Sequence, residues 1–296
     1  MKANKGKIYI SIVSVYGGRM EIITSRQNPQ VKAVCALGDK KGRRRARLFR
    51  FDGIKLFSDA LGRAEIDSVF VRTPASEAVE NRLIYAIDGG YISKNDITYV
   101  SDTVFEKLTD ESSPEGIVTV ARLMDGLHRD VIDMDEEIKA LRGKRLLIAE
   151  SLRDPGNFGT VMRSCAALGI DCLVISDDCA DLYNPKTVRG AMGALFRLQT
   201  LTVKHEELPA FVEGLRSCGR RVYAAALRND AERIGELALA EGDCFVIGNE
   251  GHGLSDRIID ACTASAIIPM TEGSESLNAA AAAAVCIWET VRVSKK

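Results

Sequence analysis

The sequence predicts an α/β protein in two parts, a smaller α/β unit followed by a larger unit with a parallel sheet. Three observations carry this. After Arg145, six short apolar segments alternate with helical ones, the pattern of parallel strands covered on both faces. Two of those segments run directly into glycine-containing polar loops, and open α/β sheets bind ligands beyond the carboxyl ends of their strands. Before Leu123 the alternation is looser and a dense basic run interrupts it.

A chain of 296 residues has room for two substantial cores. Formal net charge is −1, so no global field recruits nucleic acid and any basic site must be local. The 8 cysteines never form C-x-x-C, and several sit in apolar runs as small hydrophobes. That usage argues against structural zinc and for a reducing, cytoplasmic setting. His205 and His252 have no partner cluster in the sequence, so no metal site is expected. No apolar run reaches membrane-spanning length.

Taken in order, residues 1–19 place Lys2, Lys5 and Lys7 before an apolar run, Ile8–Tyr16, that faintly resembles a signal peptide. The run is short, is broken by serines and lacks a cleavage site, so it reads as a disordered extension ahead of Met20. Residues 20–125 form the first domain. Asn28-Pro29 is an N-cap with proline at the first helical position, leading a helix through Leu37. Then come Lys40, Lys41, Arg43, Arg44, Arg45, Arg47 and Arg50. Such a run is often a solvated face; its density in a chain of balanced charge favours phosphate contact, with Arg26 and Lys32 nearby. Helices Ile54–Arg63 and Glu77–Ile87 and strands Ser68–Val71, Ile97–Val100 and Gly116–Ala121 continue the alternation. Residues 126–144, acidic and then basic, read as a linker.

Residues 145–296 form the second domain. Its strands are expected at Arg145–Ala149, Cys172–Ile175, Leu198–Val203, Val222–Ala225, Cys244–Ile247 and Ala266–Ile268, with helices at Gly159–Leu168, Leu208–Ser217 and Ser255–Ala261. After the first strand, Asp154-Pro155-Gly156-Asn157 is turn chemistry and Gly159 opens a helix. Asn157 and Arg163 lie six apart and need not share a face unless Asn157 precedes that helix. A phosphate-binding loop is the rival reading, but no Gly-Lys-Ser/Thr follows. Cys244–Ile247 breaks into Gly248-Asn249-Glu250-Gly251-His252-Gly253. Ala266–Ile268 ends at Pro269-Met270, and Ser276-Leu277-Asn278 precedes six alanines that read as a tightly packed helix.

Residues 151–171 (SLRDPGNFGTVMRSCAALGID), 245–256 (FVIGNEGHGLSD) and 268–279 (IPMTEGSESLNA) resemble, in order and spacing, the three motifs of the SpoU-type (TrmH-like) RNA ribose 2′-O-methyltransferases. Glu21–Phe51 resembles the start of the N-terminal RNA-binding domain of the ribosomal RNA members. One departure is Asp52-Gly53, where those relatives usually carry Glu-Gly. The resemblance implies a parallel-sheet catalytic domain whose C-terminal segment makes a deep trefoil knot, a feature no pattern argument would propose. It implies S-adenosylmethionine as cofactor and a homodimer that pairs two catalytic domains around a shared site.

By position, Gly248, Ile268, Leu277 and Ala225 fall on the family's cofactor contacts, and Asn157, Arg163, Glu250, Ser276 and Asn278 on its polar catalytic positions. In such a site the ribose oxygen gains negative charge as its proton leaves. Guanidinium stays protonated, so Arg163 would stabilise the developing alkoxide rather than take the proton. Glu250 would orient Arg163 and Asn157, while Ser276 and Asn278 would fix the loop. The N-terminal domain points to ribosomal RNA as substrate. The alternatives are a transfer RNA ribose methyltransferase, or an RNA- or ribosome-binding protein that kept the fold and lost turnover.

Overall fold

A computed structural model describes residues 21–249, 251–271 and 276–293. The expectations for the extension 1–19 and for Glu250 lie outside the described residues. The chain divides into two compact units between Leu123 and Met124.

In the first unit, Asn28 caps α1 (Pro29–Ala36) by accepting a hydrogen bond from the Gln30 backbone N–H at 2.8 Å. The basic run that follows is itself a short helix, α2 (Lys40–Ala46). Its Arg43 is only 3% exposed. It turns back to donate to the carbonyls of Leu37 and Gly38, both at 2.8 Å, at the open end of α1. The expectation that Arg43 contacts RNA phosphates is therefore corrected: the side chain closes a helix. Next is a strand the sequence reading missed, β2 (Leu48–Asp52). Phe49, Arg50 and Phe51 are all buried, so no in–out alternation marks it. Arg50 is held there by donation to the Leu108 carbonyl and an ion pair with Asp110.

The remaining elements are β1 (Ile22–Ile23), α3 (Ile54–Ala60), β3 (Ile66–Arg72), α4 (Glu77–Asp88), β4 (Ile97–Val100), α5 (Asp102–Leu108) and β5 (Ile117–Arg122). The sheet runs β1-β4-β3-β5-β2, parallel on the β1-β4-β3 side and antiparallel through β5 to β2. Neighbouring residues alternate between its two faces. Val69, Val71 and Ile117 pack with α3 and α4, while Phe70, Val118 and Val120 pack with α1 and α5.

The second unit opens at Met124, so the stretch 126–144, expected to be a linker, lies within it and carries two of its elements. There β6 (His128–Asp130) pairs in parallel with β9 (Gln199–Val203). Helix α6 (Met134–Ala140) is capped by Asp133 and, with Leu141, delivers Ile138 to the core. Segment 126–144 reads as a linker because the strand is short and one turn of α6 is wholly acidic. The other elements are β7 (Leu146–Ala149), α7 (Pro155–Leu168), β8 (Cys172–Ser176), α8 (Pro185–Ala191), α9 (Leu208–Ser217), β10 (Val222–Ala225), β11 (Glu232–Arg233), β12 (Cys244–Ile247), α10 (Asp256–Ala261), β13 (Ala264–Ile267) and α11 (Ala279–Val293). The sheet is all parallel in the order β11-β13-β10-β12-β7-β8-β9-β6. The chain walks outward from β7 to β9, crosses to β10, and then inserts β12 between β10 and β7.

Helix α7 starts before Gly159, because Asp154 caps it by accepting from the Asn157 N–H at 2.7 Å. The unforeseen α8 lies against it so closely that a Cβ on Gly159 would sit 2.5 Å from the Thr187 carbonyl oxygen. Strand β13 also starts earlier than expected, leaving Ile268 just past its end. All 8 cysteines are free, six of them buried, as expected of small hydrophobes.

Candidate active site

Strands β10, β12 and β13 end at one edge of the parallel sheet, and a cavity of about 720 Å³ opens beyond those carboxyl ends. It is within the size range of small-molecule and cofactor sites. Ala225, Ile247 and Ile267, at the strand ends, line its floor. Its wall beside β12 is backbone. A Cβ on Gly248 would lie 2.4 Å from the Gly253 carbonyl carbon and 2.6 Å from the Leu254 nitrogen, so only glycine lets the two chain segments touch. Asn249 and Gly253 close the loop through paired backbone hydrogen bonds of 3.0 and 2.9 Å. The Asn249 side chain accepts from Gly251 N–H at 2.8 Å and donates to the Ser151 carbonyl at 2.8 Å, tying this loop to the first one.

A buried carboxylate locks the same pair of loops. Glu150, at the end of β7 and 3% exposed, accepts from the backbone N–H and hydroxyl of Ser255 at 2.8 and 2.6 Å. His205 Nε2 lies 3.1 Å from the same carboxylate. The sequence gives no sign of this pairing of Glu150 with His205: the two are 55 residues apart, so spacing carries no signal. Asp178 braces the first loop from the next strand. Burial raises its carboxyl, but hydrogen bonds from Ser151, Ser176 and Arg153 outweigh that and bring it down to about 2.

The third motif meets the first directly. Asn278 accepts from Ala280 N–H at 2.9 Å, fixing the start of α11, and donates to Asn157 Oδ1 at 3.0 Å across 121 residues of sequence. Of the predicted positions, Ala225, Gly248, Ile268, Leu277, Asn157, Ser276 and Asn278 all line the cavity. Arg163 does not. It is exposed on α7, and six helical residues from Asn157 turn it through roughly 240°, away from the cavity mouth.

On the first unit, Lys32, Lys40, Lys41, Arg44, Arg45 and Arg47 are exposed. Arg26 is also exposed, but donates to the Thr103 carbonyl at 2.6 Å and pairs with Glu106 at 3.2 Å. Among the described residues, no group of three or more His, Cys, Asp or Glu side chains is placed to hold a metal.

The cavity fits an S-adenosylmethionine-sized ligand: backbone at Gly248 for polar contacts, and apolar walls from Ile268, Met270 and Leu277. Residues 144–288 match the SpoU rRNA Methylase family, and residues 28–119 match the MRM3-like substrate binding domain. The 23S rRNA (guanosine(2553)-2′-O)-methyltransferase of Bacillus subtilis is 30% identical over 270 residues, 91% of this chain and 98% of that protein. A crystal structure of an rRNA methyltransferase from Sinorhizobium meliloti is similar, with a TM-score of 0.75, 25% identity, and 93% and 98% of the two chains covered. So is a structure titled as the AdoMet-bound rRNA methyltransferase of that organism, with a TM-score of 0.74, 25% identity and coverage of 93% and 98%. The fold and site define an S-adenosylmethionine-dependent RNA 2′-O-ribose methyltransferase. The chain belongs to the SpoU rRNA methylase family.

Proposed function

We propose that this enzyme methylates a ribose 2′-hydroxyl of large-subunit ribosomal RNA in the cytoplasm, working as a homodimer with a knotted catalytic unit. The observation that carries the site assignment is the cavity where all three motif loops converge, braced by the Asn278–Asn157 hydrogen bond. The B. subtilis relative, named for a 23S rRNA nucleoside, supports ribosomal RNA as substrate. Insertion of β12 between β10 and β7, with α11 following the third loop, is the strand order a threaded C-terminal segment would require.

Two features support the dimer. Trp288 on α11 is 54% exposed and Leu277 is 42% exposed, apolar surface suited to a partner. Arg163 is exposed outside its own chain's cavity, where a second protomer would bring it to the neighbouring site.

Bound S-adenosylmethionine supplies a sulfonium methyl group as electrophile. The chain's own residues would position the ribose oxygen for attack on that methyl group. Asn157 and Ser276, at the cavity wall, hydrogen-bond the ribose, and Arg163 stabilises negative charge on O2′ as its proton passes to water. Gly248, Ile268, Leu277 and Ala225 hold the cofactor. Titrating the protein with S-adenosylmethionine and assaying methyl transfer to 23S rRNA transcripts tests the reading. Mapping 2′-O-methyl positions in cells lacking the protein identifies the nucleotide. Cofactor binding without transfer to any rRNA fragment would overturn the substrate assignment.

A further inference from the structure

We propose that Tyr85 and Tyr91, with Arg82, form a stacking platform for an unpaired RNA base on the first unit, distinct from the basic run. The inference rests on the RNA-methylating function above. Both tyrosines lie outside the core, 54% and 45% exposed, while Leu83, Ala86 and Ile92 around them are buried. Their ring centroids are 6.3 Å apart with planes inclined by 27°, a stacked pair. The Arg82 guanidinium carbon lies 5.3 Å from the Tyr85 ring centroid, so a third flat, cationic group extends the array.

The local sequence builds this arrangement. Arg82 and Tyr85 are three apart on α4 and share a face. The helix ends at Gly89, Gly90 takes φ +69°, and the chain turns so that Tyr91 comes back over the helix end. A Cβ on Gly89 would lie 2.5 Å from Tyr91 Cε2, and one on Gly62 would lie 3.2 Å from Cε1. Glycines at both positions thus leave room for the ring where it sits.

A half-exposed tyrosine pair beside a guanidinium matches the chemistry of a nucleobase. Every base has a π-face, so such platforms accept bases with little sequence preference and add affinity without adding charge. Proteins that read RNA engage unpaired bases in loops and bulges, since duplex bases hide their faces. Exposed Arg63, next to Gly62, and exposed Lys94 supply cations for the flanking phosphates. The ligand is therefore a single-stranded ribonucleotide segment.

The experiment uses the full chain and a hairpin RNA carrying 2-aminopurine at one unpaired loop position, beside the same stem without the loop. Wild type should bind the hairpin more tightly than the stem and quench the fluorophore. Tyr85→Leu/Tyr91→Leu, which keeps apolar bulk, should lose about tenfold in hairpin affinity and the quenching, with its salt dependence unchanged. Tyr85→Phe/Tyr91→Phe should retain both. S-adenosylmethionine binding should be the same in all three, which reports folding of the second unit; circular dichroism and a thermal melt report the first. If the Leu variant binds and quenches like wild type while wild type methylates rRNA, the platform is wrong and the function stands. If wild type binds S-adenosylmethionine but no RNA, both fall. Loss in the Phe variant equal to that in the Leu variant would assign the effect to the hydroxyls and also overturn stacking.

Discussion

The cavity beyond the strand ends and the basic surface of the first unit are built on opposite principles. The cavity is made of backbone, small residues and apolar walls, and its polar side chains are tied into the loops that form it: Asn278 donates to Asn157, and Asn249 to the Ser151 carbonyl. The basic surface is made of long exposed side chains on a short helix, and the one that folded inward, Arg43, serves the fold. The first kind of site fails when atoms are added. The second fails when charge is removed, and it fails gradually.

The sharpest test concerns the residue belonging to neither pattern. Arg163 is a single exposed charge, yet it is assigned to the transition state. Arg163→Ala should lose about two to three orders of magnitude in single-turnover methyl transfer with S-adenosylmethionine affinity unchanged, because loss of one preorganised donor at a developing oxyanion costs that much. Arg163→Lys should recover part of the rate, keeping charge but losing the planar fork. If Arg163→Ala instead weakens cofactor binding as severely as it slows transfer, Arg163 belongs with the cavity. Mixed dimers of Arg163→Ala and a cofactor-binding variant add a further reading: activity above that of either parent requires one protomer's arginine to serve the other's cavity.

Next is the backbone wall. Gly248→Ala drives a methyl against the Gly253 carbonyl and the Leu254 nitrogen, neither of which can swing aside. Overpacking of this kind costs about 1–3 kcal/mol or more, and relieving it would shift the loop that walls the cavity, so cofactor affinity should drop by about a hundredfold. Calorimetric titration reads it directly. Near-normal binding would mean the loop opens freely and that the contact with Gly253 is not what shapes the cavity.

What the sequence made legible follows the same division. Strands ending in glycine loops stand out because their chemistry is local; the resemblance to the family's three motifs then singles out Gly248, Ile268, Leu277, Asn157 and Asn278, which all line one cavity. Interactions that depend on distant partners are invisible there. Glu150 reads as the residue after a strand until Ser255 and His205 are seen beside it. Strand β2 is hidden by Arg50, a buried charge at its centre whose acceptors, Leu108 and Asp110, lie in another part of the sequence. The expected linker is misleading because its short acidic helix shows few apolar residues, although Ile138 and Leu141 are buried in the core. Helix α8 needs Gly159 and Gly190 to be recognised as a contact rather than as loop residues.

The first unit has its own strained polar group, which separates fold from RNA binding. Asp52 ends β2 with one carboxyl oxygen buried and without a hydrogen-bond partner. Burial pushes its pKa up to about 6 from 3.8, against the lowering effects of Thr109 and Arg50. A carboxyl raised in the folded state is a cost once ionised. The contribution of Asp52 to stability is therefore most favourable below pH 3.8 and is lost as pH rises through about 6. Asp52→Asn removes the charge at nearly constant shape, so it should stabilise the first unit by about 1–3 kcal/mol at pH 8 and by little at pH 3.5. Denaturant melts at the two pH values give the comparison. Equal effects at both would mean that Asp52 acts through packing and not through its charge.

The smallest effect is expected where the charge is most conspicuous. Lys41→Ala/Arg44→Ala/Arg45→Ala removes three exposed cations from α2 and leaves Arg43, whose loss would instead open the end of α1. Exposed cations on phosphates act by releasing counterions, so affinity for an rRNA fragment should fall about tenfold at moderate salt. The slope of log affinity against log salt should shrink by about 2, roughly 0.7 for each single-strand phosphate that is no longer neutralised. S-adenosylmethionine binding should not change, and methyl transfer at saturating RNA should approach the wild-type rate, since these side chains carry affinity and not chemistry. Arg43→Ala alone should look different: lower thermal stability, with little change in salt slope. If it matches the triple variant in slope at full stability, then Arg43 reaches RNA after all and the helix-closing role assigned to it is wrong. If the triple variant keeps both affinity and slope, α2 is a solvated face and RNA enters elsewhere on the unit.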